Sequence, residues 1–169
     1  MKVLETERLI LVRLSHADAE FMLELLNEPS FIHFIGDKGV RTVDDAREYL
    51  SNGPIRSYAE NGYGLYLATL KEDGACIGIC GLVKRDELQD PDVGFAFLPA
   101  YWSRGYATES AAAVLQYARE KLGLGRIVAI TAPENMSSVN LLHKLGLSFE
   151  GMIRLADDTE EISLYATDS

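Results

Sequence analysis

The sequence predicts a single domain of mixed α/β architecture. Its 169 residues and 18.7 kDa are typical of one compact domain. Apolar residues make up 47% of the chain and charged residues 25%, which is ordinary usage for a chain that buries a core. Stretches with helical spacing alternate with β-rich stretches, and no repeat or linker separates them. We therefore expect one domain over residues 1–169.

The chain is expected to open with a strand and a helix. Residues 9–12 form a short apolar run that is typical of a strand. Ser15 and Asp18 fit a capping box, in which each side chain bonds the backbone of the other, and this pattern marks a helix start. Apolar residues then recur at helical spacing, and we expect Pro29 to close the helix.

A second helix and a β-hairpin follow. Thr42 and Asp45 repeat the capping box, and the Gly53–Pro54 pair is expected to break or kink that helix. Residues 63–70 and 76–83 are rich in β-forming residues, and an Asp-Gly pair lies between them. Since Asp-Gly favours tight turns, the two stretches predict a hairpin.

The rest of the chain predicts strands that alternate with two helices. The central helix is Ala-rich and ends at two glycines, and the stretches around it are apolar or β-branched. The expected strands are residues 93–98, 127–131, 147–153 and 161–165, and the expected helices are residues 107–122 and 137–145.

The two cysteines predict neither a disulfide nor a metal site. Cys76 and Cys80 lie in one expected strand, where four residues span roughly 13 Å. That separation is too large for a disulfide, and no Cys or His cluster accompanies the two thiols. We expect both to be structural and half-buried.

The charge of the chain argues against nucleic-acid and membrane partners. Sixteen basic and 26 acidic residues give a net charge of −10, which repels phosphate backbones and anionic lipid. No apolar run is long enough for a membrane span, and the charged N-terminus does not resemble a signal peptide. We expect a cytoplasmic protein. The acidic surface would either attract a cationic acceptor or only keep the protein soluble.

The most informative segment is a strand, a loop and a helix start between residues 93 and 109. A loop that leads into a helix exposes backbone N–H groups with no intrahelical partner, and the helix dipole adds positive potential there. Such a place suits a pyrophosphate. Gly105 would let the backbone approach that ligand, although a glycine in a turn is by itself a weak signal.

This segment resembles the acetyl-CoA motif of the GNAT acetyltransferase superfamily, in which Arg or Gln is followed by x-x-Gly-x-Gly/Ala. Gly105 and Ala107 match the motif, and Trp102 stands at the Arg or Gln position. That departure is similar to the branch of ribosomal-protein N-terminal acetyltransferases. Residues 133–138 and 144–147 resemble the Asn-x-x-Ser and Lys-x-Gly-Phe signatures of the same branch, with Leu147 replacing the aromatic residue.

The resemblance implies a fold and a binding site for acetyl-CoA, with no metal. The implied sheet is mixed and mostly antiparallel, has helices on both faces, and splays in a V between two parallel strands. The pantetheine arm would lie in the V. Its implied contacts are the backbone amides of Phe95, Phe97 and Leu98, and Asn135 on the opposite wall. The implied pyrophosphate contacts are Arg104, Gly105, Tyr106, Ala107 and Thr108.

The resemblance also implies direct transfer of the acetyl group to an amine. Many superfamily members carry a tyrosine that protonates the departing thiolate, but the matching position here is Leu142. Ser138 is the candidate donor in its place, and the alternative for Ser138 is an ordinary hydroxyl at a helix start. Asp157 and Asp92 are the candidate bases, and each is equally well explained as a surface charge.

The predicted function is therefore an N-acetyltransferase that acts on a primary amine. The preferred acceptor is the α-amino group of a protein or peptide N-terminus, and Glu28 and His33 are candidates for the acceptor-side wall. A small-molecule amine acetyltransferase and a non-catalytic acyl-CoA-binding module remain alternatives. A dinucleotide-dependent dehydrogenase fits poorly because the chain has no Gly-x-Gly-x-x-Gly. The sequence leaves open whether the protein is a monomer or a homodimer.

Overall fold

A computed structural model describes residues 2–155 and 160–168 of the chain. Its strands are β1 (Lys2–Glu5), β2 (Leu9–Arg13), β3 (Leu65–Leu70), β4 (Cys76–Val83), β5 (Asp92–Phe97), β6 (Val128–Thr131), β7 (Ser148–Ile153) and β8 (Ile162–Ala166). Its helices are α1 (Ala19–Leu26), α2 (Pro29–Phe34), α3 (Val43–Leu50), α4 (Arg56–Asn61), α5 (Tyr106–Glu120) and α6 (Met136–Lys144).

The eight described strands form one sheet in the order β1-β2-β3-β4-β5-β6-β8-β7. Neighbouring strands are antiparallel except β5 and β6, which are parallel and share one aligned pair, Asp92 with Val128. A parallel pair requires a crossover connection, and α5 supplies it. The prediction of a mixed, mostly antiparallel sheet that splays between two parallel strands is confirmed.

Helices cover both faces of the sheet. On one face α5 buries Ala111, Val114, Leu115 and Ala118 against β-strand side chains that include Leu11 and Ile77. On the other face α1 and α3 pack with Leu67 and Ile79 around a second buried cluster. The helical stripes predicted from apolar spacing face the sheet, because only burial against another layer removes their apolar surface from water.

The region between the first strand and the hairpin contains more helix than expected. Both capping boxes are present, at Ser15 and at Thr42. The expectation that Pro29 closes a helix is wrong in detail, because α1 already ends at Leu26 and Pro29 is the first residue of α2. Proline suits that position because the first N–H of a helix has no intrahelical partner.

The Gly53–Pro54 pair lies within a continuous helical run. α3 passes through one π turn, Ser51–Ile55, directly into α4. The π turn accommodates Pro54, whose missing N–H removes one ordinary helical bond. The following hairpin has the predicted register, with Tyr66 opposite Cys80.

The structure bears on two further expectations, the state of the two cysteines and the lack of a membrane-spanning helix. Cys76 and Cys80 are free thiols, and burial raises the pKa of the Cys80 thiol to about 12, against a hydrogen bond with Ser110 that lowers it. In the described part of the chain, every helix is too short or too polar to cross a bilayer.

Candidate active site

A cleft opens where β5 and β6 separate. The two strands are joined at their first residues, where Val128 N donates to Pro91 O at 3.0 Å and Asp92 aligns with Val128. Beyond this point β5 continues to pair with β4 while β6 pairs with β8. The facing edges of β5 and β6 therefore diverge toward their carboxyl ends, and the edge of β5 presents backbone groups to the gap.

The register of β5 decides which backbone groups face the cleft. Leu98 N donates to Ile77 O at 2.9 Å, so this amide points toward β4. Because N–H groups alternate in direction along an antiparallel strand, the amides of Phe95 and Phe97 point to the opposite side, into the cleft. The expectation that the Leu98 amide pairs with the pantetheine arm is wrong, since β4 already takes that donor.

Trp102 anchors the loop that follows β5. Its indole N–H donates to the backbone oxygen of Phe97 at 2.8 Å, and the residue is 48% exposed. The aromatic residue that replaces Arg or Gln in the motif thus caps the free edge of β5. It holds the loop of residues 98–105 at the mouth of the cleft.

The start of α5 presents free backbone donors at this mouth. Gly105 is the N-cap, in the left-handed conformation with φ +84°, and provides no side-chain cap. The first intrahelical bond is from Glu109 N to Gly105 O, which leaves the amides of Tyr106, Ala107 and Thr108 without intrahelical partners. Arg104 is exposed in the same loop. This arrangement fits an anionic group.

Asn135 and Ser138 lie at the start of α6, just beyond the end of β6. Asn135 is the N-cap, and its side-chain oxygen accepts from Ser138 N at 3.3 Å. Ser138 is the third residue of α6, so its hydroxyl does not cap the helix. Within residues 2–155 and 160–168, no side chain or backbone group bonds to that hydroxyl. Leu142, one turn later, is a core residue with 1% exposure.

Asp92 lies at the vertex of the cleft and is 2% exposed. Its Oδ2 accepts from Arg85 Nε at 2.6 Å. Burial raises the pKa of the Asp92 carboxyl, and the nearby Arg85 guanidinium opposes part of that rise. Asp92 is therefore no surface charge. It is a buried carboxyl with one oxygen held by Arg85, a partner that no local sequence pattern predicts.

The other carboxylate and acceptor-side candidates have different positions. Asp157 lies outside the described residues. Glu28 is the half-buried N-cap of α2 without a side-chain cap bond. His33 is exposed on α2 and stacks edge-on against Phe34, with ring centroids 4.5 Å apart. Neither Glu28 nor His33 is among the residues that line the groove described next.

A groove of about 730 Å³ lies beside Asp92 on the face that carries α3 and α4. Arg85 and Leu65 are in its wall. A Cβ placed on Gly94 of β5 would lie 3.7 Å from Leu65 Cδ2 and 3.9 Å from Asp92 Oδ1, so this wall adjoins the edge of the cleft. The rim includes exposed residues such as Glu48 and Glu60, which makes the groove accessible from solvent.

Two ion-pair clusters surround the site, and sequence reasoning identified neither. Arg126, just before β6, donates to Asp90 at 3.1 Å and also forms a two-pronged bond with Glu150 of β7. Arg8 contacts Glu109 in the first turn of α5. The partners are 24 to 101 residues apart in sequence, so no local pattern could reveal them.

Comparison with known proteins agrees with this geometry. The family model for the acetyltransferase (GNAT) domain matches residues 8–148. The uncharacterized N-acetyltransferase YoaA of Bacillus subtilis is 27% identical over 154 residues, which cover 90% of this chain and 86% of YoaA. The chain belongs to the GNAT acetyltransferase family, and it is an N-acetyltransferase whose acyl donor is acetyl-CoA.

Solved structures share the fold over nearly the whole chain. An acetyltransferase from Agrobacterium tumefaciens superposes with a TM-score of 0.84 at 24% identity, covering 100% of this chain and 95% of the other. RimL, a ribosomal L7/L12 α-N-protein acetyltransferase in complex with coenzyme A, superposes with a TM-score of 0.83 at 15% identity. That superposition covers 98% of this chain and 97% of RimL.

Proposed function

We propose that this enzyme transfers acetyl from acetyl-CoA to the α-amino group of a peptide or protein N-terminus. The proposal rests on the separation of strands β5 and β6 after one aligned residue pair, which leaves the amides of Phe95 and Phe97 directed into the gap. An extended pantetheine arm can pair with that strand edge as another strand would. We assign Asn135, the N-cap of α6, to the opposite wall, with its amide nitrogen as the donor to the arm because its Oδ1 already accepts from Ser138 N.

The nucleotide end of acetyl-CoA is assigned to the mouth of the cleft. The amides of residues 106–108, which have no partner in the part of the chain that the structure describes, and the Gly105 backbone offer donors to the pyrophosphate, and Arg104 adds a positive charge. The Leu98 amide does not contact the arm, because it donates to Ile77 O of β4, and Leu98 lies only at the rim of the cleft.

The transfer needs one proton removed from the amine and one delivered to the sulfur. The neutral amine attacks the thioester carbonyl, the new C–N bond forms, and the C–S bond breaks with its electron pair on sulfur. We assign protonation of the thiolate to the Ser138 hydroxyl, which does not act as the helix cap, and a solvent water returns a proton to the serine oxygen in the same step. Asp92 is assigned the proton from the amine, because Arg85 holds Oδ2 while Oδ1 lies next to Gly94 of β5, the strand that borders the cleft. Asp157 is retained as the second candidate base.

The acceptor class follows from protonation and from the groove. An α-amine with a pKa of about 7.8 is roughly 14% neutral at pH 7, whereas a lysine amine with a pKa of about 10.4 is only about 0.04% neutral. Deprotonation of the α-amine is therefore easier by about 3.5 kcal/mol. None of the described residues that line the groove is a histidine, and a site of this kind suits the easier amine. A groove of about 730 Å³ that is accessible from solvent suits an extended chain better than an enclosed small molecule.

The test compares three acceptors with acetyl-CoA and measures CoA release. The first acceptor is a peptide with a free N-terminus. The second is its counterpart with a blocked N-terminus and a lysine side chain, and the third is a free amino acid. We expect the highest kcat/KM for the free N-terminus. A preference for the blocked peptide would refute the acceptor assignment, and a preference for the amino acid would make the enzyme a small-molecule acetyltransferase. CoA binding without transfer to any amine would favour the non-catalytic alternative.

A further inference from the structure

Arg8 is held in a fixed position against the start of α5. Its Nε donates to Glu109 Oε1 at 2.8 Å, and its backbone N donates to Glu109 Oε2 at 2.9 Å. Thr6 donates its hydroxyl proton to the same Oε2. Glu109 therefore receives three hydrogen bonds from the turn between β1 and β2. Burial by itself would raise the pKa of Glu109, but these bonds outweigh it and keep the pKa below its ordinary value.

The Arg8 guanidinium lies over the loop that precedes α5. Its central carbon is 4.3 Å from the centroid of the Tyr106 ring, and a Cβ on Gly105 would lie 3.3 Å from Arg8 Nη2. Its Nε is engaged by Glu109. In the described part of the chain, no acceptor bonds to either terminal nitrogen, and the side chain is 42% exposed. Two terminal nitrogens with four N–H donors thus lie beside Gly105 and the ring of Tyr106.

This position matters because of the charges around it. The protein carries a net charge of −10 and places the Glu109 carboxylate within the first turn of α5, where it would repel a phosphate. Arg8 neutralises that carboxylate with one edge of its guanidinium and leaves the other donors available. A guanidinium fixed by a carboxylate and an aromatic ring loses little freedom on binding an anion. Arg104, by contrast, is an exposed side chain of the loop itself.

We propose that Arg8 binds the phosphate groups of the acyl donor through its terminal guanidinium nitrogens, and that Glu109 and Tyr106 position it for this contact. The inference rests on the proposed placement of the nucleotide at the start of α5. Arg8 lies in the turn between β1 and β2, 101 positions before Glu109 of α5. The phosphates concerned are the pyrophosphate or the 3′-phosphate of coenzyme A, which share the same chemistry.

The experiment uses Arg8→Gln and Arg8→Lys in the full chain, with Thr6→Val as the matched control. Thr6→Val removes a neutral donor from the same Glu109 carboxylate and the acceptor of the Leu9 N–H, and it leaves both Arg8 hydrogen bonds to Glu109 in place. Dissociation constants are measured calorimetrically for CoA and 3′-dephospho-CoA at two salt concentrations. Values of kcat/KM are measured with acetyl-CoA and with S-acetylpantetheine, which has no phosphate beyond the arm. Thermal unfolding checks that each variant is folded.

We expect Arg8→Gln to weaken CoA binding about tenfold or more and to flatten its salt dependence. Arg8→Lys should keep part of the affinity, and the loss in kcat/KM should be confined to acetyl-CoA. If Arg8→Gln also weakens the binding of 3′-dephospho-CoA, Arg8 contacts the pyrophosphate. If the loss of affinity is absent with 3′-dephospho-CoA, Arg8 contacts the 3′-phosphate.

Three outcomes would overturn the inference. They are unchanged CoA affinity in Arg8→Gln, an equal loss with S-acetylpantetheine, or an equal loss of CoA affinity in Thr6→Val. The last two would show that Arg8 only supports the shape of the loop. Wild-type protein that binds no CoA would refute the proposed function itself, and this inference with it, so the two failures are distinguishable.

Discussion

Replacing Gly105 by alanine separates the conformational role of this residue from its role at the cofactor site. Gly105 has φ +84°, in the left-handed region. A non-glycine residue there costs about 1–2 kcal/mol. Gly123 lies just beyond α5, has φ +65°, and a Cβ placed on it would meet nothing within 4 Å. Gly123→Ala therefore imposes a similar backbone cost away from the cleft and is the matched control.

The two substitutions should have similar effects on stability and different effects on binding. Each is expected to lower the midpoint of thermal unfolding by roughly 2–8 °C, since 1 kcal/mol shifts a domain of this size by about 2–4 °C. At Gly105 the added Cβ would also lie 3.3 Å from Arg8 Nη2, which forces the guanidinium or the loop to move. Loss of one charge-assisted hydrogen bond of about 1.5–3 kcal/mol weakens binding by about ten- to a hundredfold.

The assay is calorimetric titration of CoA into both variants, with unfolding monitored by circular dichroism in the same buffer. Gly105→Ala should bind CoA at least about tenfold more weakly, while Gly123→Ala should bind as the wild type does. Equal CoA affinity in the two variants would refute the assignment of residues 104–108 to the pyrophosphate. It would leave Gly105 with only its conformational role as the N-cap of α5.

Three further predictions concern the catalytic candidates and the base of the cleft. Asp92→Asn should lower kcat at least about tenfold if this carboxyl collects the amine proton. Because burial raises the pKa of Asp92, the stability linked to its protonation is fully present below the unfolded value of about 3.9 and is lost as pH rises through the folded value. The free energy of unfolding in urea, measured from below the unfolded pKa of Asp92 to above its folded pKa, should therefore fall with rising pH in the wild type and not in Asp92→Asn. Ser138→Ala should lower the single-turnover rate and leave the CoA dissociation constant unchanged, and an unchanged rate would exclude Ser138 as the thiolate donor. Arg126→Met should lower the free energy of unfolding by about 0.5–1 kcal/mol, because its bonds to Asp90 and Glu150 are partly exposed, and the difference should shrink in high salt.

Local signals predicted most elements of the fold and the position of the cofactor loop. The capping boxes at Ser15 and Thr42, and the glycine at the start of α5, depend on residues within one turn of each other. Such short-range chemistry is readable in a sequence. Pro29 shows where this reading fails, because a proline fits both the end of one helix and the first turn of the next.

Features that depend on strand register or on distant partners could not be read in this way. The direction of the Leu98 amide follows from the pairing of β5 with β4, which fixes every second N–H along the strand. β1 has no clear signal in the sequence, because its only two apolar residues, Val3 and Leu4, are adjacent and lie between charged residues, and it is recognised by its pairing with β2. Arg85, found beside Asp92, explains why that carboxyl can be buried, and nothing in its local sequence indicated this role.

The ion pairs at the vertex of the cleft connect the fold to the chemistry. Asp90 and Asp92 flank Pro91, whose carbonyl accepts the bond from Val128 that joins β5 to β6. Asp90 is bound by Arg126 and Asp92 by Arg85, so the residues on both sides of this junction are fixed. The strands can therefore diverge only toward the loop at Gly105, where the cofactor is proposed to enter. The thioester would then reach the closed end, where the buried Asp92 carboxyl and the groove meet.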